Sequence, residues 1–146
     1  MDRALDQRMM RRAIAIARTR LGQTGDNPAV GCVIALGEAV LAEAATGAGG
    51  RPHAEEQALT LAGEAAHGAT AYVSLEPCAE RSTGAASCSE RLIAAGIARV
   101  VIAGADPSPK ASGRGEVRLR AAGMPVDTGV LAEEAEPLYA DYRRRL

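Results

Sequence analysis

Residues 69–78 read ATAYVSLEPC, an apolar run that ends directly at Glu-Pro-Cys. A short apolar run bounded by glycine on one side and proline on the other predicts a buried β-strand. Upstream, His53-Ala54-Glu55 opens a segment with helical spacing, and downstream Cys88 opens another. The sequence therefore predicts that one histidine and two cysteines lie where strands or loops connect to helices.

These three side chains are a ligand set for zinc. A catalytic zinc site uses three protein ligands and leaves the fourth position to water, whereas a structural site is closed. Glu55 lies two residues from His53, close enough to reach such a water without ligating the metal. The pattern H-x-E, then P-C, then a later cysteine is typical of zinc deaminases. It predicts a hydrolytic deaminase in which His53, Cys78 and Cys88 bind zinc and Glu55 transfers protons.

Other interpretations of the same residues remain open. Glu55 could instead be the fourth ligand of a structural site. A separate alternative is that the chain is a non-catalytic structural-zinc interaction module. Cys32 lies inside a predicted strand and is expected to be a small buried hydrophobic residue. His67 is expected to be a solvated residue at a helix end. Asn27, which begins the segment NPAVG, is either a turn residue or a side chain directed into the pocket.

Strands and helices are predicted to alternate along the chain. Apolar residues recur every four positions from Leu5 to Leu21, which predicts a first helix that stops at Gly22. Two short apolar runs separated by Gly37-Glu38 predict a β-hairpin. The predicted helices span 2–21, 53–65, 88–95, 116–122 and 131–145, and the predicted strands 30–36, 39–45, 69–75, 98–103 and 125–130. This order predicts an α/β fold, a three-layer α/β/α sandwich on a mixed, mostly five-stranded sheet, as one domain over residues 1–146.

The amino-acid composition limits the kinds of molecule that the chain is expected to bind. The net charge of the 146 residues is −1, without a long basic stripe, which argues against nucleic acid as a substrate. No apolar run approaches the ~18 residues that span a bilayer, and no signal-peptide core is evident at the start. A reducing, cytoplasmic location is therefore expected, where paired cysteines favour metal binding over a disulfide. The expected partner is a small-molecule substrate, with no nucleic acid and no membrane.

The chain resembles the deaminase domain of the riboflavin-biosynthesis family, within the cytidine-deaminase-like superfamily. The matching stretches are NPAVGCV at 27–33, GRPHAE at 50–55, GATAYVSLEPC at 68–78, LIAAGIARVV at 92–101, Asp-Pro at 106–107 and SGRG at 112–115. The resemblance implies zinc as the cofactor and Glu55 as the proton shuttle. It also implies that Asn27 contacts the substrate, that Asp106 lies near the substrate's sugar, and that the chain forms dimers or tetramers. The implied reaction releases ammonia from diaminohydroxyphosphoribosylaminopyrimidine, and the chain is expected to lack the family's reductase domain.

Two departures from the family bear on the substrate. The loop at 79–87, between the two cysteines, is one residue longer than in the family and lacks its His and Pro-Pro residues, and Ser108 stands where the family has asparagine. Arg81 either replaces the family's basic loop residue as a substrate anchor or is a solvated residue paired with Glu80. Three further basic residues occupy segments expected to border the pocket, namely Arg51, Lys110 and Arg114. The second hypothesis is therefore a divergent deaminase of a small unphosphorylated nucleobase, nucleoside or related aminated heterocycle.

Overall fold

The structure, a computed structural model, describes residues 2–81, 84–108 and 111–146. Strands and helices alternate within these ranges, as predicted. The strands are β1 (Gly31–Leu36), β2 (Ala39–Ala45), β3 (Thr70–Leu75), β4 (Arg99–Gly104) and β5 (Val126–Asp127). The helices are α1 (Arg3–Arg18), α2 (Ala54–Ala62), α3 (Cys88–Ala94), α4 (Arg114–Ala121) and α5 (Ala132–Arg145), with short 3-10 helices at Ala48–Gly50 and Gly63–Ala66.

The five strands form one mixed sheet in the order β2-β1-β3-β4-β5. β1 is antiparallel to both of its neighbours, β2 and β3, while β3, β4 and β5 are parallel. The predicted hairpin is therefore correct, with a register irregularity between Ile34 and Ala35. The carboxyl ends of the parallel strands β3 and β4 lie at one edge of the sheet, where the loops that follow them meet.

Both faces of the sheet are covered by helices. In β1, Cys32 and Ile34 point to one face and pack in a core with residues of α2, α3 and α4. Val33 and Ala35 point to the other face and pack with α1 and α5. This alternation confirms the predicted three-layer sandwich. Within the described ranges, no helix has both the length and the apolar character required to cross a membrane.

Helix α1 packs against β1 at unusually close range. A Cβ atom added at Gly31 would lie 1.9 Å from the carbonyl oxygen of Ala13, which is backbone and cannot rotate away. We expect Gly31→Ala to lower the free energy of unfolding by about 1–3 kcal/mol, the usual cost of overpacking. Urea denaturation measures this change. Gly104→Ala in β4 is the matched control, because its nearest neighbours lie at 3.5 Å or beyond; equal stability of the two variants would contradict the prediction.

Several predicted boundaries differ from the structure. Helix α1 ends at Arg18 rather than Leu21, and the Thr19 hydroxyl donates a hydrogen bond to the carbonyl oxygen of Ile16 as the chain turns. Strand β5 covers two residues of the predicted 125–130, since Gly129 adopts a positive φ of 79° and the chain leaves the sheet.

Another difference is the start of α4, which lies at Arg114 and not at Glu116. The buried carboxylate of Glu76, just after β3, accepts hydrogen bonds from the backbone N–H groups of Gly113 at 3.0 Å and Glu116 at 3.1 Å. These N–H groups belong to the first turn of the helix and have no partner inside it. A distant carboxylate thus fixes the helix start.

Candidate metal centre and active site

The predicted ligands come together in the structure. The Nδ1 atom of His53 lies 3.3 Å from the Sγ of Cys88 and 3.9 Å from the Sγ of Cys78. All three ligand atoms lie within 4.8 Å of one another. Among the described residues, this group consists of these three side chains, so Glu55 lies beside the ligands and not among them.

The donor set and its spacing fit zinc. Tetrahedral zinc takes thiolate sulfur at about 2.3 Å and imidazole nitrogen at about 2.0–2.1 Å, so its ligand atoms are separated by roughly 3.5–3.8 Å. The two measured nitrogen–sulfur distances, 3.3 and 3.9 Å, bracket this range. Three ligands on one side also match a site that keeps a fourth position open.

Each ligand is positioned by the end of a secondary-structure element. His53 precedes α2 as its N-cap residue, and Cys88 is the first residue of α3. Cys78 follows β3, and its carbonyl oxygen accepts a hydrogen bond from the backbone N–H of Ser89 at 3.1 Å. The backbone N–H of Cys88 donates to the Sγ of Cys78 at 3.3 Å. The turn into α3 therefore holds both sulfur atoms.

The two thiols differ in acidity. Hydrogen bonding from the Cys88 side chain, with further contributions from His53 and the Cys88 backbone, lowers the pKa of Cys78 to about 4 against the opposing effect of burial. The Cys78 side chain and burial raise the pKa of Cys88. Cys78 is therefore the thiolate of the pair, and its negative charge favours a cation at this position.

Glu55 occupies the second position of α2 and is buried, with 4% of its surface exposed. It lines the same cavity as His53 and Cys78. Burial and the nearby Cys78 raise the pKa of Glu55 to about 7, although His53 opposes this shift. A buried carboxyl group beside a metal-ligand set can accept and return a proton near neutral pH.

Asn27 and Asp106 line this cavity as well, which has a volume of about 100 Å³. The Asn27 amide nitrogen donates to the carbonyl oxygen of Gly50 at 3.0 Å, and its Oδ1 has no partner among the described residues. The Asp106 carboxylate is buried and accepts hydrogen bonds from the backbone N–H of Ser108 at 2.8 Å and the Tyr142 hydroxyl at 3.0 Å. Both predicted substrate contacts thus face the cavity that holds Glu55.

The interpretation of Arg81 as a solvated residue paired with Glu80 is wrong. Only 6% of the Arg81 side chain is exposed, and its Nη2 lies 3.0 Å from the Oε1 of Glu56 in α2. Glu80 pairs instead with Arg114 at 3.1 Å. The Arg81 side chain turns inward because the Glu56 carboxylate offers a partly buried partner there, and it lines the cavity.

The three other basic candidates differ in their surroundings. Arg51 lines the cavity and is exposed, and it forms no ion pair with any residue in the described ranges. Arg114 pairs with Glu80 at 3.1 Å. Lys110 lies outside the described residues. So do Ser82 and Thr83 of the altered loop, and Pro109.

Cys32 and His67, which were predicted not to be metal ligands, lie where the sequence predicted them. Cys32 is fully buried in β1 and is not part of the metal-ligand group. His67 is exposed at the end of the 3-10 helix Gly63–Ala66.

Sequence reasoning missed three residues around the cavity. Glu76 and Tyr142 line it, and Glu56 binds Arg81. Glu76 stands next to Pro77-Cys78, so its position in the ligand motif was a usable signal. Tyr142 comes from α5 at the far end of the chain, and no local pattern connects it with the site.

Comparisons with known proteins agree with this geometry. Residues 3–104 match the family model described as the cytidine and deoxycytidylate deaminase zinc-binding region. The chain is 44% identical over 141 residues to the riboflavin biosynthesis protein RibD of Escherichia coli K12, which covers 97% of this chain and 38% of that protein. It is 41% identical over 137 residues to the diaminohydroxyphosphoribosylamino-pyrimidine deaminase of Buchnera aphidicola subsp. Acyrthosiphon pisum, covering 94% of this chain and 92% of that protein.

A solved structure is similar over almost the whole chain. RibD from Acinetobacter baumannii, form 2, aligns with a TM-score of 0.92 and 40% sequence identity, covering 99% of this chain and 40% of that one. The chain therefore spans about 40% of the length of the RibD proteins that it matches.

Proposed function

The chain belongs to the cytidine and deoxycytidylate deaminase family with its zinc-binding region, and on this premise we propose that it is a zinc-dependent hydrolytic deaminase of an amino-pyrimidine. The leading substrate is diaminohydroxyphosphoribosylaminopyrimidine, which would lose ammonia. One observation carries the proposal: three zinc-type ligand atoms lie within 4.8 Å of one another beside a buried glutamate. The name of the Buchnera deaminase, 92% of which this chain covers, supports the choice of substrate.

In this mechanism His53, Cys78 and Cys88 hold the metal. Zinc would act as a Lewis acid and make water a nucleophile near neutral pH. The Glu55 carboxylate takes the proton of the attacking water and delivers it to a ring nitrogen of the substrate. It then assists protonation of the departing amino group, so that water is consumed, ammonia leaves and a carbonyl replaces the amine.

Asn27 and Asp106 are proposed to orient the substrate. The Asn27 Oδ1 can accept a hydrogen bond from a ring N–H or amino group, while Gly50 fixes the other end of the amide. Asp106 is held by the hydroxyl of Tyr142 and the N–H of Ser108, so its orientation is set before a sugar hydroxyl arrives. Arg81 stays a proposed substrate contact at the cavity wall, although Glu56 offsets its charge.

The structure also favours a second candidate, a smaller unphosphorylated heterocycle. The cavity of about 100 Å³ is small beside the roughly 300–1,000 Å³ of common ligand pockets, so it suits a single ring. A phosphate would need charge-assisted donors. With Arg81 tied to Glu56, Arg51 is the cavity residue whose charge no described acidic side chain offsets.

Ammonia release distinguishes the two candidates. We expect turnover of the phosphorylated pyrimidine and little or none of free bases and nucleosides. We also expect Arg51→Ala to raise KM for the phosphorylated substrate about 10–150-fold without lowering kcat, because losing one charge-assisted hydrogen bond costs about 1.5–3 kcal/mol. The same pyrimidine without its phosphate is the matched control, for which Arg51→Ala should leave KM unchanged.

The pathway substrate fails if the phosphorylated pyrimidine is inert while an unphosphorylated ring turns over. The second candidate then replaces it, and the zinc mechanism stands. An equal KM change on both substrates would remove Arg51 as the phosphate anchor.

The proposal includes three statements predicted from the sequence. Residues 1–146 act as one domain, the chain works in the cytoplasm, and it associates as a dimer or tetramer. A small-molecule substrate is consistent with membership in a deaminase family.

A further inference from the structure

Glu56 contacts all three segments that carry the metal ligands. We propose that it is a positioning residue that slows the release of zinc by tying α2, the loop at 79–87 and α3 together. The inference rests on the proposed function, in which His53, Cys78 and Cys88 hold the metal. Glu56 itself is not in the ligand group. Its effect would pass through its hydrogen-bond and ion-pair partners.

The first contact fixes the segment before α2. Glu56 Oε1 accepts a hydrogen bond from the backbone N–H of His53 at 3.1 Å. Since His53 is the N-cap residue of α2, this bond closes the first turn of the helix onto the ligand's own backbone. The backbone that carries the imidazole is therefore held by the Glu56 side chain.

The second contact fixes the loop between the two cysteines. The same Oε1 lies 3.0 Å from Nη2 of Arg81, whose side chain is only 6% exposed. The Nε of Arg81 is buried and has no hydrogen-bond partner among the described residues. A buried guanidinium with an unpaired N–H group is costly and stays inside only where a carboxylate offsets its charge. Glu56 is that carboxylate, so without it we expect the Arg81 side chain to turn out to solvent and no longer hold the start of the loop.

The third contact reaches α3. Glu56 Oε2 lies 3.7 Å from Nη2 of Arg91, and the Nε of Arg91 donates to the carbonyl oxygen of Ala86 at 3.2 Å. Arg91 lies about one turn after Cys88, which is the first residue of the same helix. The loop is therefore tied to Glu56 near both of its ends, directly at Arg81 and through Arg91 at Ala86.

A metal leaves such a site when one ligand segment moves away from the others. Cys78 and Cys88 flank the loop, and His53 lies on a separate element, so the three ligands stay together only if these segments keep their distances. Residues that orient metal ligands change metal affinity by about 10–100-fold when they are replaced. We expect an effect of this size at Glu56, although it touches neither the metal nor the substrate.

The test compares zinc release from Glu56→Gln and from the wild-type protein. The glutamine is isosteric and can still accept from the His53 N–H, but it lacks the charge that holds Arg81. We expect transfer of zinc to a chromogenic chelator to become at least about tenfold faster. Glu43→Gln is the matched control. Glu43 lies on β2 and pairs with Arg12 of α1, and its side chain is partly exposed like that of Glu56 (33% against 21%). The control should release zinc at the wild-type rate.

Two further measurements separate positioning from general stability. The thermal midpoint of the metal-free protein is measured for both variants, and zinc release is compared well below both midpoints, so that a loss of general stability does not enter the rate. Arg81→Met should also speed zinc release, and the Glu56→Gln, Arg81→Met double variant should be no faster than the faster single variant, as expected for residues that act through one contact.

The results of these experiments distinguish failure of the inference from failure of the proposed function. Zinc release at the wild-type rate from Glu56→Gln overturns the inference while the proposed function stands. Equally fast zinc release from Glu43→Gln overturns it as well, since the effect would then not depend on the contacts of Glu56. Failure of the wild-type protein to retain zinc overturns the proposed function itself.

Discussion

Glu55→Gln is expected to retain the fold and bound zinc and to lose ammonia release by about 10²–10⁴-fold. The amide has the shape of the carboxyl group but can neither take a proton from water nor deliver one to the ring. Glu55 is buried at the second position of α2, so bulk water does not readily replace it. Ammonia release under saturating substrate measures the loss, and metal analysis of the same sample shows whether zinc is retained.

This variant also decides between an enzyme and a structural-zinc interaction module. The module predicts a wild-type protein that binds zinc and releases no ammonia from any tested ring, and a Glu55→Gln variant in which nothing is lost. Full activity in Glu55→Gln would remove Glu55 from proton transfer. Loss of zinc from the variant would show instead that the carboxylate supports the metal site.

Cys88→Ala should reduce zinc from about one ion per chain to a trace after dialysis. The variant leaves one histidine and one cysteine, and its affinity should fall by more than the about 10–100-fold caused by residues that only orient ligands. Added zinc should therefore no longer raise its thermal midpoint, because a ligand stabilises only the state that binds it. Metal analysis and thermal melting with and without zinc measure both effects.

Cys32→Ala is the matched control for this experiment. Cys32 is also a fully buried cysteine, but it lies in β1 and outside the metal-ligand group. It should keep its zinc while losing a little stability to the smaller side chain. Retention of full zinc by Cys88→Ala would exclude Cys88 from the site.

The order of elements could be predicted because the spacing of apolar residues differs between helices and strands. Residues 69–75 and 98–103 are mostly apolar, and they form the buried parallel strands β3 and β4. The ends of elements were harder to predict, because contacts between distant residues decide them. Helix α4 starts at Arg114 because Glu76, beyond another strand, accepts its first N–H groups. No pattern near residue 114 contains that information.

The metal ligands were predictable for a different reason, which is that few residue types bind zinc and their motif is specific. His53, Cys78 and Cys88 accordingly lie together as predicted. The inward position of Arg81 was not predictable, because its partner Glu56 lies on another element and belongs to no motif. A charged residue beside an oppositely charged neighbour in the sequence suggests a local pair, and here Glu80 turns to Arg114 instead.

Glu76 has a consequence for how new substrates could arise on this scaffold. Its carboxylate holds the chain after β4 through the main-chain N–H groups of Asp106, Gly113 and Glu116. Every amino acid except proline supplies that group, so these three hydrogen bonds themselves need no particular side chain. Ser108, which lines the cavity between the first two of these anchor points, can therefore be exchanged while the metal ligands keep their places. A library at this position would vary recognition and leave the reaction chemistry intact.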